Sequence, residues 1–157
     1  MADETRDRPT SDRARPRTLT DEQWLSLNDG VIAEFRANGG RCGGRWEGNP
    51  MVLLTTTGAR TGRERTSPLT YTTDGDRLVL IASRAGDDRN PAWYHNLVAN
   101  PDVVVELGTE RFPARATVAA EPERSRLLGA RVALMPRFGE YVEMTDRTIP
   151  VVVVERV

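Results

Sequence analysis

The segment Thr55-Thr56-Thr57-Gly58-Ala59-Arg60-Thr61-Gly62-Arg63-Glu64-Arg65 gathers residue types suited to holding an anion. Glycines let a backbone approach a ligand closely. Backbone amides and threonine hydroxyls donate to phosphate oxygens, and arginine forks neutralise their charge. The plain structural reading of the same residues is an exposed hairpin with solvated arginines, and spacing alone weighs the two evenly. A second segment runs from Ala82-Ser83-Arg84-Ala85-Gly86 into Asn90-Pro91-Ala92-Trp93-Tyr94-His95-Asn96-Leu97. Here a basic, glycine-containing loop leads into a helix N-terminus, where anions sit well. Trp93 and Tyr94 could stack on a planar ring, although aromatics in a short helix more often belong to a core. His95 reads as a surface or hydrogen-bonded histidine rather than a general base.

The counts narrow the chemistry further. His95 is the single histidine and Cys42 the single cysteine, which excludes a multi-histidine metal site, zinc-finger spacing and an internal disulfide. All 22 basic residues are arginine. Without lysine there is no Schiff base, hence no pyridoxal-phosphate chemistry, and any anion must be held by guanidinium groups or amides. No Gly-x-Gly-x-x-Gly follows a strand pattern and no P-loop occurs. The chain of 157 residues has a net charge of −1 and is sized for one domain with its own core. It holds no apolar run near the ~20 residues that span a bilayer. The opening MADETRDRPT lacks a hydrophobic signal core, so the expected location is cytoplasmic.

The elements that must position these loops follow from pattern. Residues 1–17 are rich in charge and proline and read as a disordered lead-in, with a single domain over 18–157. Thr20 and Gln23 have capping-box spacing, and Leu19 can staple onto Trp24. Trp24, Leu27, Val31 and Phe35, flanked by Leu25 and Ile32, predict an amphipathic helix ending at Gly39-Gly40. It reads as covering a core face, with peripheral membrane contact as the second reading. Strands are predicted over 51–57, 65–73 and 77–83, the last two joined by the hairpin turn Asp74-Gly75-Asp76. A short helix opens with Asn90 as N-cap and Pro91 as first residue, lined by Trp93, Tyr94, Leu97 and Val98. Strands over 102–107 and 111–119, a helix over 121–135 and a terminal PVVVVE strand complete the order. Valines without a break point to burial on both faces or against another element. Antiparallel strands with helices in the crossovers predict an α+β fold whose sheet closes.

Three stretches in this order, NPMVLLTTTGARTGRERTSPLTY, ASRAGDDRNPAWYHNLVANPDVVVE and TDRTIPVVVVE, resemble the deazaflavin-dependent nitroreductase family across about residues 35–157. The resemblance implies a split β-barrel similar to flavin-mononucleotide-binding reductases. It also implies binding of coenzyme F420, a 5-deazaflavin with a phosphodiester and an oligoglutamate tail, whose reduced form gives hydride to a hydrophobic quinone, enone or nitro-type acceptor. By motif position, Arg60, Thr61 and Arg65 would hold the phosphate and carboxylates. Leu53, Leu54 and Thr55 would run under the ring with Pro68 nearby. Ala82, Ser83 and Arg84 would form the opposite wall, and Ala92, Trp93 and Asn96 would contact the ring or its ribityl chain. The family often carries lysine where Arg60 and Arg84 stand. Trp24, Phe138 and Tyr141 would face the acceptor, with Tyr141, Ser83 or water supplying a proton. Nitroimidazole-reducing members carry several tyrosines just before this last stretch; here Phe138 fills one such position and only Tyr141 remains. The competing readings are a reductase using flavin mononucleotide and a non-catalytic deazaflavin- or haem-binding protein of the same fold.

Overall fold

The computed structural model describes residues 20–44, 48–84 and 89–157, the side chains of Asp21 and Trp24 excepted. The expected lead-in over 1–17 and the Leu19–Trp24 staple therefore lie outside the described residues. Helix α1 spans Asp21–Ala37 and begins as the spacing requires: Thr20 Oγ1 accepts from the Gln23 amide at 3.1 Å, and Gln23 Oε1 accepts from the Thr20 amide at 2.8 Å. Because this reciprocal cap closes the helix at Thr20, nothing upstream is needed to satisfy its first turn. A chain starting at Thr18 should consequently melt within a few degrees of the full chain. A large drop in a thermal melt would show that the lead-in docks on the domain.

Seven strands form one antiparallel sheet in the order β2-β1-β5-β6-β7-β4-β3. They are β1 (Met51–Thr57), β2 (Glu64–Thr70), β3 (Thr72–Asp74), β4 (Arg77–Ile81), β5 (Asp102–Leu107), β6 (Glu110–Val118) and β7 (Val151–Arg156). Helices α2 (Ala92–Ala99), α3 (Glu123–Leu134) and α4 (Arg137–Glu143) lie in the connections. The expected strand over 65–73 is in fact two strands. Thr70 pairs with Met51 of β1, whereas Thr72 pairs with Val79 of β4. One residue, Tyr71, thus carries the chain from one edge of the sheet to the other, and this is what curls the sheet into a barrel with a seam between β2 and β3.

Alternation sorts the apolar runs onto two faces. Val52, Leu54, Leu78, Leu80, Val103, Val105, Val152 and Val154 fill the barrel with Trp93 and Leu97 of α2. The intervening Val79, Ile81, Val151 and Val153 lie under α3 and α4, with Leu127, Phe138 and Ile149. Met51 and Leu53 lie under α1 against Val31 and Phe35. The unbroken valines of β7 are buried on both faces for this reason. The end of α1 is fixed by Arg36, which donates from Nε and Nη2 to the Glu106 carboxylate at 3.0 and 2.7 Å. It is fixed also by Gly40, where a Cβ would meet the Gly108 backbone at 2.7 Å.

Four further expectations are corrected. Leu25 and Leu27 are 46% and 44% exposed, so the apolar stripe of α1 reaches the core only from Val31 onward. Val98 is exposed, and the buried side chains of α2 are Trp93, Asn96 and Leu97. Pro91 rather than Asn90 stands at the N-cap of α2, and the Asn90 side chain is turned to Arg147, whose Nη1 donates to its Oδ1. Helix α4 was not predicted: seven residues containing Gly139 are too few to show a helical period.

Candidate active site

A cavity of about 900 Å³ opens between β2, the residues following β4, α2, α4 and the exposed half of α1. Its first wall is the turn from β1 to β2. Gly58 donates to the Arg63 carbonyl at 2.7 Å and Gly62 to the Gly58 carbonyl at 3.0 Å. The turn is tight enough that a Cβ on Gly58 would lie 2.9 Å from Thr61 Oγ1 and 3.0 Å from the Arg63 carbonyl oxygen. This close approach holds Arg60, Thr61 and Arg65 along one side of the cavity.

Asn96 ties the turn to α2. Its Oδ1 accepts from the Ala59 amide at 3.0 Å and its Nδ2 donates to Thr56 Oγ1 at 3.1 Å. Asn96 borders the cavity, yet these bonds make it first a brace for the arginine-bearing turn. Asn96→Leu strands the Thr56 hydroxyl and the Ala59 amide at about 1–3 kcal/mol each. The expected result is a fall in melting temperature of about 4 °C or more together with weaker anion binding. An unchanged melt would show that the turn holds its place without the amide.

The second wall is built by Ser83, Arg84, Arg89 and Asn90. Arg84 adopts φ +47°, an uncommon conformation for a side-chain-bearing residue that concentrates at ligand sites. Arg147 braces both ends of this wall: Nη2 donates to the Ala82 and Ser83 carbonyls at 3.1 and 2.9 Å, and Nη1 donates to Asn90 Oδ1. Arg147 belongs to the Thr145-Asp146-Arg147 stretch that carries part of the family resemblance, but its bracing role had no signal in the sequence. Residues 85–88 lie outside the described residues.

Ala92, Trp93 and His95 of α2 and Pro68 of β2 also border the cavity. Leu53, Leu54, Thr55 and Ala82, expected beside the ring, are not among the residues that line the cavity. Leu53 and Ala82 are 0% exposed in the core, Leu54 points into the barrel, and Thr55 Oγ1 is bonded to Thr66 Oγ1 at 2.8 Å. Missed by the sequence were Thr66, Ser67 and Thr70, polar cavity residues on a strand whose pattern does not alternate cleanly. The acceptor-side residues Phe138 and Tyr141 do meet, ring edge to face at 5.3 Å, on the wall made by α4 with Met135 and Arg137. The side chain of Trp24 is outside the described residues.

The charge distribution is one-sided. Arg60, Arg65, Arg84, Arg89 and Arg137 border the cavity, and among the described residues no carboxylate does. Such a surface attracts a polyanion, while the remaining lining is apolar and aromatic around Leu25, Leu27, Val31, Trp93 and Phe138.

The family model described as F420H(2)-dependent quinone reductase matches residues 30–156. An F420H(2)-dependent quinone reductase of Mycobacterium tuberculosis is 43% identical over 138 residues, covering 85% of this chain and 91% of the relative. Among solved structures, an F420-H2 dependent reductase termed FDR-A is 39% identical with a TM-score of 0.62, covering 68% of this chain and 94% of its own. A structure described as a domain-swapped dimer is 34% identical with a TM-score of 0.64, covering 87% of this chain and 100% of its own. The heme storage protein HutZ from Vibrio cholerae, 14% identical with a TM-score of 0.52, shares the fold alone. Split-barrel topology, an arginine-lined cavity and these matches together place the chain in the F420H2-dependent quinone reductase family, oxidoreductases whose hydride donor is reduced coenzyme F420.

Proposed function

We propose that the cavity binds reduced coenzyme F420 with its anionic tail along Arg60, Thr61 and Arg65, and takes a hydrophobic quinone against α4 and the open half of α1. The observation that carries this reading is the pairing of five arginines and no described carboxylate with an apolar, aromatic end in one cavity. The donor set fits the cofactor: guanidinium forks suit phosphodiester and glutamate oxygens, and Pro68, Ala92 and Trp93 offer flat or apolar contacts to a ring. Bound there, the deazaflavin supplies a hydride.

The chain's own residues do the remaining work. Ser83 and Arg84 line the wall opposite Pro68, so the ring is confined from two sides. Asn96 and Arg147 hold those sides in register, and such orientation is a large part of any two-substrate rate enhancement. Leu25, Leu27 and Val31 shield the acceptor from water on the α1 side. The Tyr141 or Ser83 hydroxyl, or a water beside them, provides the proton that a reduced quinone oxygen requires.

The test is retention. Purified protein incubated with coenzyme F420, flavin mononucleotide or haem and then gel-filtered should carry only the deazaflavin absorbance. Retention of flavin mononucleotide instead would overturn the cofactor assignment. One further observation bears on how the acceptor arrives. Leu25 and Leu27 are half-exposed at the cavity edge, and no described helix is long and apolar enough to cross a membrane. A cytoplasmic protein resting α1 on a bilayer surface to collect a lipid quinone fits both, and pelleting with phospholipid vesicles checks it.

A further inference from the structure

Arg131 of α3 is 0% exposed, and among the described residues no carboxylate pairs with it. Its Nη1 donates to Thr70 Oγ1 at 3.0 Å, and its Nη2 donates to the Val79 carbonyl at 3.0 Å and the Thr70 carbonyl at 3.3 Å. Its Nε finds no acceptor. Burial draws its pKa down to about 10, so it stays charged at neutral pH. An unpaired cation is costly to bury, and an apolar residue of that volume would serve the core at least as well. What the guanidinium adds is a place and a contact. Its anchors are the last residue of β2 and the middle of β4, on either side of the barrel seam. It stacks on the ring of Phe138 at 4.7 Å. That ring borders the cavity and meets Tyr141 edge to face.

We infer that Arg131 is a positioning residue for the acceptor: tied to the seam, its flat guanidinium backs the Phe138 ring that faces the cavity. This rests on the reading of α4 as the acceptor wall. A lysine keeps the charge but loses the planar fork that reaches Thr70, Val79 and the ring together. The wall then loses its backing while the cofactor side, braced by Asn96 and Arg147, keeps its own.

The experiment is a double-mutant cycle with Arg131→Lys, Phe138→Leu and the double variant, reading quinone KM, kcat and the dissociation constant of coenzyme F420. Arg131→Gln, which keeps a donor for the Val79 carbonyl, is carried alongside so that a folding failure in one variant does not decide the matter, and thermal melts verify each fold. Arg131→Lys should raise quinone KM about three- to tenfold, as expected for loss of a desolvated cation–π contact. Its kcat should hold within about twofold, and its cofactor affinity should not change. The double variant should be no worse than the poorer single one. Multiplying effects would show that Arg131 acts apart from the ring and would overturn the inference. A fall in cofactor affinity in parallel with the rise in quinone KM would reduce Arg131 to a general support of the fold. Unchanged quinone kinetics in Phe138→Leu would remove the acceptor wall itself, a different failure from that of Arg131.

Discussion

Replacing Arg60 and Arg65 together with alanine should weaken coenzyme F420 binding about a hundredfold or more, each single change costing about tenfold or more. A hydrogen bond to a charged group contributes about 1.5–3 kcal/mol, and 1.4 kcal/mol is a factor of ten. Both side chains are exposed on the turn braced by Asn96, and among the described residues neither pairs with a carboxylate. Alanine there removes charge from the cavity without breaking an internal contact, so the melting temperature should stay put while the dissociation constant rises. Added salt should weaken binding to the native protein more than to the double variant, because ions screen exposed charges. Fluorescence quenching of the deazaflavin gives the constants. Unchanged affinity in both single variants would move the tail to Arg84, Arg89 or Arg137.

Phe138→Tyr should raise turnover of a bicyclic nitroimidazole at least about tenfold, from a weak or absent level in the native protein, with quinone reduction much less affected. A positioned proton donor contributes about 10²–10⁴ in rate. The Phe138 ring packs on apolar and aromatic neighbours but carries no hydroxyl to orient a nitro group. A quinone needs a hydride and a proton that Tyr141, Ser83 or water can deliver. Oxidation of the reduced deazaflavin, followed by absorbance with the two acceptors side by side, reads the ratio. Brisk nitroimidazole reduction by the native protein would show that position 138 does not control acceptor choice.

The ring of Phe138 illustrates what could be read in advance and what could not. Phe138 and its neighbour Tyr141 were marked in sequence by their place just before the last family stretch. The helix that gathers them was not, since α4 is two turns long and holds a glycine. Strands β1, β4 and β7 showed in their apolar runs because those runs face the barrel on one side and helices on the other, and β5 showed through Val103 and Val105, which fill the barrel. The break at Tyr71 did not show, since a change of strand partner needs no change of residue type. The arginine turn was legible through its glycines and charges. Its braces were not. Asn96 and Arg147 reach it and the opposite wall from 37 and 64 residues away, and no local pattern reports contacts over such separations. Motif position alone placed Leu53 and Leu54 near the ring, whereas burial of both strand faces commits their side chains to the core. Even so, the arginine-bearing turn, the α2 wall and the α4 wall come together around one cavity.

The most direct measurement is anaerobic mixing of the protein, saturated with reduced coenzyme F420, against a hydrophobic quinone. The deazaflavin absorbance should return in a single protein-dependent phase, with one quinone reduced per cofactor oxidised, and the phase should vanish in the Arg60→Ala, Arg65→Ala double variant at the same cofactor concentration. Tight cofactor binding with no quinone reduction would contradict an oxidoreductase and mark the protein as a deazaflavin carrier.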